Sequence, residues 1–104
     1  MKRKLLLKAR ADFDVADHYR YLLLHNPRAA GRFRSAVLAA YKRIAVDCRS
    51  CATLPMKRFE GLEIRFAKPR GFRNYLIYFQ VTDDAVFILR VLHSSQDAES
   101  ELRP

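Results

Sequence analysis

The sequence predicts an α+β domain in the order β-α-α-β-β-β, with a helical hairpin packed on one face of a small, mainly antiparallel sheet. Three observations carry this. Two apolar stripes at helical spacing, over residues 15–23 and 29–44, are separated by Asn26-Pro27. Three β-rich runs follow, at 62–66, 75–81 and 85–92. The last two flank a Thr82-Asp83-Asp84 turn.

Residues 3–8 alternate charge and leucine and are read as a short strand. Asp12 or Asp14 is placed to cap the first helix. Val15, Ala16, Tyr19, Leu22 and Leu23 then form one apolar stripe. Asn26-Pro27 ends it, because the residue before a proline is pushed away from helical angles. Pro27 also suits the first turn of a second helix. There Ala29, Phe33, Val37, Ala40, Tyr41 and Ile44 make a second stripe, and Arg28, Arg32, Arg34, Lys42 and Arg43 take other directions. So short a break requires the two helices to be antiparallel. Alanines at 29, 30, 36, 39 and 40 permit close approach.

Residues 48–61 read as a connector punctuated by Pro55 and Gly61. Alternation in 62–66 places Leu62, Ile64 and Phe66 on one face and Glu63 and Arg65 on the other, a half-buried strand. Residues 68–74 (Lys-Pro-Arg-Gly-Phe-Arg-Asn) form a basic turn. In the next strand Tyr75, Ile77, Phe79 and Val81 share the core face, and the more polar Leu76, Tyr78 and Gln80 are expected on the accessible one. The last strand is apolar on both faces, so it is central or covered. Residues 97–102 have room for one helical turn.

The 104 residues suffice for one domain, 1–104, with one core. Half the residues are hydrophobic, which argues against disorder. The net charge of +9 favours nucleic acid, an anionic groove or an acidic protein partner over a merely solvated surface. Met1-Lys2-Arg3-Lys4 precedes only three leucines, shorter than the roughly 7–15 residues of a secretory core. No apolar run approaches the roughly 20 residues of a membrane span. A cytoplasmic protein is expected. Cys48 and Cys51 make one Cys-x-x-Cys with no second pair, and His18, His25 and His93 show no ligand spacing. They are read as ordinary thiols, with no metal and no cofactor.

With this order in hand, the chain resembles the RelE/ParE superfamily of bacterial type II toxins, and within it the ParE-like, plasmid-stabilisation branch. The matching segments are Ala11-Asp12-Phe13, Asn26-Pro27-Arg28-Ala29-Ala30, Arg32-Phe33, Gly61-Leu62-Glu63-Ile64-Arg65 and Asn74-Tyr75-Leu76-Ile77-Tyr78-Phe79. The terminal Arg90-Val91-Leu92-His93-Ser94-Ser95-Gln96-Asp97 is the most specific of them. The resemblance implies a growth-arresting toxin neutralised by a ParD-like antitoxin with an acidic segment. The ParE branch is associated with poisoning of DNA gyrase, and the RelE branch with cutting messenger RNA on the ribosome.

Metal-free RNA cleavage needs a base, an acid and cations for the phosphorane. The RelE-like enzymes place one such arginine in the third strand, just after a Gly-Tyr pair. Here Leu76 follows Asn74-Tyr75, and just past the last strand only His93 has useful chemistry. A nuclease drawn on this chain would use His93 as acid or base, Arg65, Arg73 and Arg90 on phosphate, and Tyr75 or Tyr78 against a base. The favoured expectation is a toxin that binds gyrase, with or without its DNA, and carries no chemistry of its own. Its target contact is expected at Arg65, Lys68, Arg70, Arg73, Arg90 and His93, unless Arg65 and Arg90 instead pair with Glu60, Glu63 or Asp84 and hold the sheet. An inactive relative that survives as an antitoxin-bound co-repressor is a further alternative. A plain nucleic-acid binder ranks last, for want of helix-turn-helix spacing or an RNP-type aromatic motif.

Overall fold

The structure, a computed structural model, describes residues 3–54 and 61–102. Pro55 and Glu60, both named above, lie outside them. The order is β1 (Lys4–Leu7), α1 (Ala9–His25), α2 (Pro27–Asp47), a 3₁₀ turn (Cys48–Ser50), β2 (Ala52–Thr53), β3 (Ile64–Ala67), β4 (Tyr75–Val81), β5 (Ala85–His93) and α3 (Ala98–Glu101). The strands form one sheet in the order β1-β5-β4-β3-β2. Only the β1–β5 pair is parallel. The α+β architecture expected from the sequence is the one observed, with β2 added inside the stretch read as a connector.

The hairpin turns as the sequence requires. Asn26 caps α2, its Oδ1 accepting the N–H of Ala29 at 3.3 Å, and Pro27 occupies the first turn. Phe33, Val37, Ala40, Tyr41 and Ile44 are buried against Ile77, Phe79, Val86, Ile88 and Val91 of the sheet. Packing of this apolar face, more than intrinsic propensity, supplies most of the helical stability.

A β-bulge explains the double-faced apolar pattern of β5. Tyr78 pairs with Arg90 and Phe79 with Ile88, so Leu89 is the extra residue. The bulge shifts the side-chain alternation by one, and Val86, Ile88 and Val91 all face the helices. β5 is also central, as its composition predicts.

Four local expectations are corrected. Neither Asp12 nor Asp14 caps α1. The helix begins at Ala9 without a side-chain cap, Asp12 sits in its first turn, and Asp14 is buried. The buried face of α1 runs through Ala11, Asp14, Val15, His18 and Leu22, and Ala16 and Leu23 are exposed. The polar-looking face of β4 is covered: Tyr78 and Leu92 pack with Leu102, Ala98, Phe66 and Leu54 in a second small core. A single turn of helix at the C-terminus is enough to cover that patch. Leu62 precedes β3 and is exposed, whereas Ile64 is buried.

Candidate functional site

The basic turn between β3 and β4 projects Lys68, Arg70 and Arg73 into solvent. Two local devices fix its shape. Gly71 adopts a left-handed φ of 84°, which an L side chain adopts only at a cost. The N–H of Phe72 bonds the carbonyl of Pro69 at 3.0 Å, and that of Tyr75 the carbonyl of Phe72 at 3.1 Å. The Phe72 ring lies edge-on to Phe33 of α2 with centroids 5.4 Å apart, and the Tyr75 ring lies 4.7 Å from Phe33. The three cations therefore stand on an aromatic pedestal rooted in the core. None of them has an ion-pair partner among the described residues.

Beside this turn opens a cleft of about 350 Å³, lined by Asp17, His18, Tyr21, Tyr75, His93, Ser95 and Gln96. Tyr75 is its back wall. Both His18 and His93 meet the Tyr75 ring edge-to-face at 5.0 Å, and Phe72 adds a further T-shaped contact. Tyr75 is 8% exposed, which leaves little of its ring for a base to stack on. Tyr78 is buried in the second core on the other side of the sheet.

The two imidazoles have definable tautomers. His18 Nε2 lies 2.8 Å from the carbonyl oxygen of Val91, which only accepts, so the proton is on Nε2. His93 Nδ1 accepts the N–H of Ser95 at 3.0 Å and lies 2.8 Å from Ser95 Oγ. Its lone pair is therefore engaged, and Nε2 carries the proton. In this arrangement Nδ1 of His93 is not a free base.

Arg65 and Arg90 occupy different places from the three turn cations. Arg65 Nε donates to Glu63 Oε2 at 2.8 Å and its Nη1 donates to the carbonyl of Cys51, which ties β3 to the segment before β2. Arg49 donates to the same carboxylate through Nε and Nη2, both at 3.0 Å. Hydrogen bonds from Arg49 and then Arg65 hold the Glu63 carboxyl down at about 2. Arg90 is buried. Its Nε and Nη2 grip Asp14 at 2.7 and 2.9 Å, and it also donates to the backbone and side chain of Glu101 at 2.8 and 3.1 Å. Hydrogen bonding to Asp14 raises its guanidinium further. Of the six residues singled out from the sequence, the structure thus gathers Lys68, Arg70, Arg73 and His93 around the turn and the cleft mouth. Arg65 and Arg90 are engaged as struts, Arg65 with Glu63 and Arg90 with Asp14 and Glu101.

The strut partners Asp14 and Glu101 and the cleft residues Asp17, His18 and Tyr21 escaped sequence reasoning. Asp14 and His18 stand four apart on α1, one helical turn, and that spacing was the available signal.

A second cleft, of about 340 Å³, lies between the helices on another side of the hairpin. Leu7, Val15, Ala16, Tyr19, Val37 and Leu38 wall it, with Asp12 and Arg34 among its polar residues. The Tyr41 hydroxyl is buried there with no hydrogen-bond partner among the described residues. Burial, and then the charges of Asp12 and Asp14, push its phenol up. Cys48 and Cys51 are free thiols, the first buried. No group of metal-binding side chains is assembled among the described residues, nor is any helix there long and apolar enough to cross a membrane.

The family described as the ParE toxin of the type II toxin–antitoxin system parDE matches residues 5–98. The chain belongs to this toxin family. The match takes in every element from β1 to the start of α3, and with them the cationic turn and both clefts. A solved structure of the chromosomal ParDE toxin–antitoxin system from P. aeruginosa is similar in fold, with a TM-score of 0.71 at 17% identity. The alignment covers 88% of this chain and 96% of that one. No curated protein matches the sequence.

Proposed function

We propose that this toxin acts by binding DNA gyrase and that it carries no chemistry of its own. The observation that carries the reading is the cationic turn: Lys68, Arg70 and Arg73 are exposed, unpaired among the described residues, and held on a fixed aromatic base. A preformed cationic prong suits an acidic protein surface or the DNA held against it. His93, at the cleft mouth, contributes a hydrogen-bond donor. The engaged lone pair of His93 and the buried Tyr75 ring weigh against messenger RNA cleavage.

We also propose that a cognate antitoxin neutralises it by laying an amphipathic, acidic segment into the apolar cleft between α1 and α2. Apolar anchors fit walls such as Val15, Val37 and Leu38, and Arg34 supplies a positive charge for an acidic residue.

The test is gyrase supercoiling and gyrase-mediated DNA cleavage titrated with purified toxin, beside a ribosome-dependent messenger RNA cleavage assay. Gyrase inhibition with intact RNA is expected. The R70E/R73E variant is expected to fold normally and to lose both inhibition and growth arrest. Arg65 is unsuitable for this purpose, because reversing it would break the Glu63 and Cys51 contacts. Cut RNA with normal gyrase would replace this reading with a nuclease. Silence in both assays would point to an inactive relative.

A further inference from the structure

We infer that the outer ridge of α2 is a contact surface for the phosphate backbone of duplex DNA. α2 carries five cations, Arg28, Arg32, Arg34, Lys42 and Arg43, and its one carboxylate is the terminal Asp47. At 3.6 residues per turn, Arg28, Arg32, Lys42 and Arg43 fall within an arc of about 100°. That arc lies opposite the buried Phe33, Val37, Ala40 and Ile44. All four ridge cations are exposed, and none has an ion-pair partner among the described residues. Like the turn cations Lys68, Arg70 and Arg73, they differ from Arg20, Arg49, Arg65 and Arg90, which are each paired with a carboxylate. Five cations on one helix repel one another and are sustained by packing of the opposite face. An unpaired row of this kind calls for a polyanion.

The spacing selects the polyanion. Arg32 and Lys42 are ten residues apart, about 15 Å along the axis. The ridge is therefore two cationic pairs separated by Ser35 and Ala39, which are small and let the helix backbone approach closely. Two charge clusters at that separation match the phosphate rows flanking the major groove of B-DNA, which is about 12 Å wide. A-form RNA has a narrow major groove and matches poorly. No ring stands on the arc, so unpaired bases find nothing to stack on. A protein partner would want several large apolar anchors; between the two pairs there is none, and Val46, exposed beyond Arg43, is the single large apolar residue on the arc.

The test uses the purified full chain and a fluorescent mixed-sequence 24-base-pair DNA duplex, with binding followed by anisotropy between roughly 50 and 200 mM salt. Each phosphate contact contributes about 0.9 to the slope of log affinity against log salt. R28Q/R32Q/K42Q/R43Q is therefore expected to flatten the slope by about 3.6, and R28Q/R32Q or K42Q/R43Q alone by about 1.8. The paired variants guard against misfolding of the quadruple one. R34Q, on the same helix but facing the cleft, is expected to leave the slope unchanged. A wild-type slope in the paired variants, or an equal flattening by R34Q, would overturn the proposal. So would displacement of the DNA by duplex RNA or poly-glutamate at matched charge, which would assign the ridge to A-form RNA or to an acidic protein. The readout is DNA binding itself, so it stands apart from whether gyrase is the toxin's target.

Discussion

The carboxylate of Asp14 accepts the backbone N–H of Val91 at 2.9 Å, so a helix side chain takes the place of a neighbouring strand. β1 ends at Leu7, opposite Ile88, and leaves the last part of β5 without a strand on that side. One turn along α1, His18 Nε2 donates to the carbonyl of the same Val91. The two side chains close both backbone groups of a residue that would otherwise present a buried, unsatisfied edge. Arg90 then links Asp14 to Glu101 and so joins α1, β5 and α3.

Breaking this junction should be costly. D14A leaves both the Arg90 charge and the Val91 N–H without their partner, and removing one member of a buried ion pair costs about 3–5 kcal/mol. D14N keeps an acceptor oxygen for Val91 and loses the charge. Denaturant unfolding should rank wild type above D14N above D14A. Hydrogen exchange should show the Val91 amide opening fastest in D14A. Equal stability of D14A and wild type would remove the junction from the fold's supports.

Glu63 should make the β2–β3 edge acid-sensitive. Its folded value is about 2, against about 4.3 for an unperturbed glutamate. A depressed carboxyl stabilises the fold above the unfolded value, and that stability is lost as pH falls from about 4.3 towards 2. Because the group is partly exposed, the contribution at neutral pH is on the order of 0.5–1 kcal/mol. E63Q should therefore melt below wild type at pH 7 and together with it near pH 2. A constant gap across that range would show that Glu63 acts through something other than its charge.

The aromatic pedestal should matter more for toxicity than for the fold. F72A removes the ring that seats the turn on Phe33 and Tyr75 but leaves Lys68, Arg70 and Arg73 in place. Stability should fall by about 1–3 kcal/mol, since Phe72 is only half-buried. With gyrase as the proposed target, inhibition should fall by at least tenfold at temperatures where the variant is folded. Unaltered inhibition would mean that the turn needs no fixed shape.

Periodicity made the scaffold legible, but not its closures. The α2 stripe, the Asn26-Pro27 boundary and the central position of β5 all follow from apolar spacing and proline chemistry. Apolar spacing draws the α1 face through Leu23, whereas the buried face runs through Asp14 and His18, because polar residues that satisfy backbone groups look like solvent-facing ones. The Tyr78 face seemed accessible because its cover, Ala98 and Leu102, is too short to show a period. At the site, the cations of 68–74 could be read directly. Which arginines were engaged depended on contacts between residues 76 positions apart, as for Asp14 and Arg90, and no local pattern encodes those.

The α1–α2 cleft offers a way to separate neutralisation from toxicity, because it lies away from the cationic turn. Leu38 is 51% exposed on the cleft wall, so L38D adds a negative charge and removes apolar surface at little cost to the helix. The variant should still arrest growth but escape antitoxin rescue. The kinetics should then divide the cleft into its two kinds of contact. R34E removes an attractive charge and should slow association, with a weaker salt dependence. L38A removes an anchor and should mainly speed dissociation. Surface plasmon resonance with the cognate antitoxin would measure both. Wild-type rates for both variants would move the antitoxin to a sheet edge, where β2 exposes Ala52 and Thr53 for strand addition.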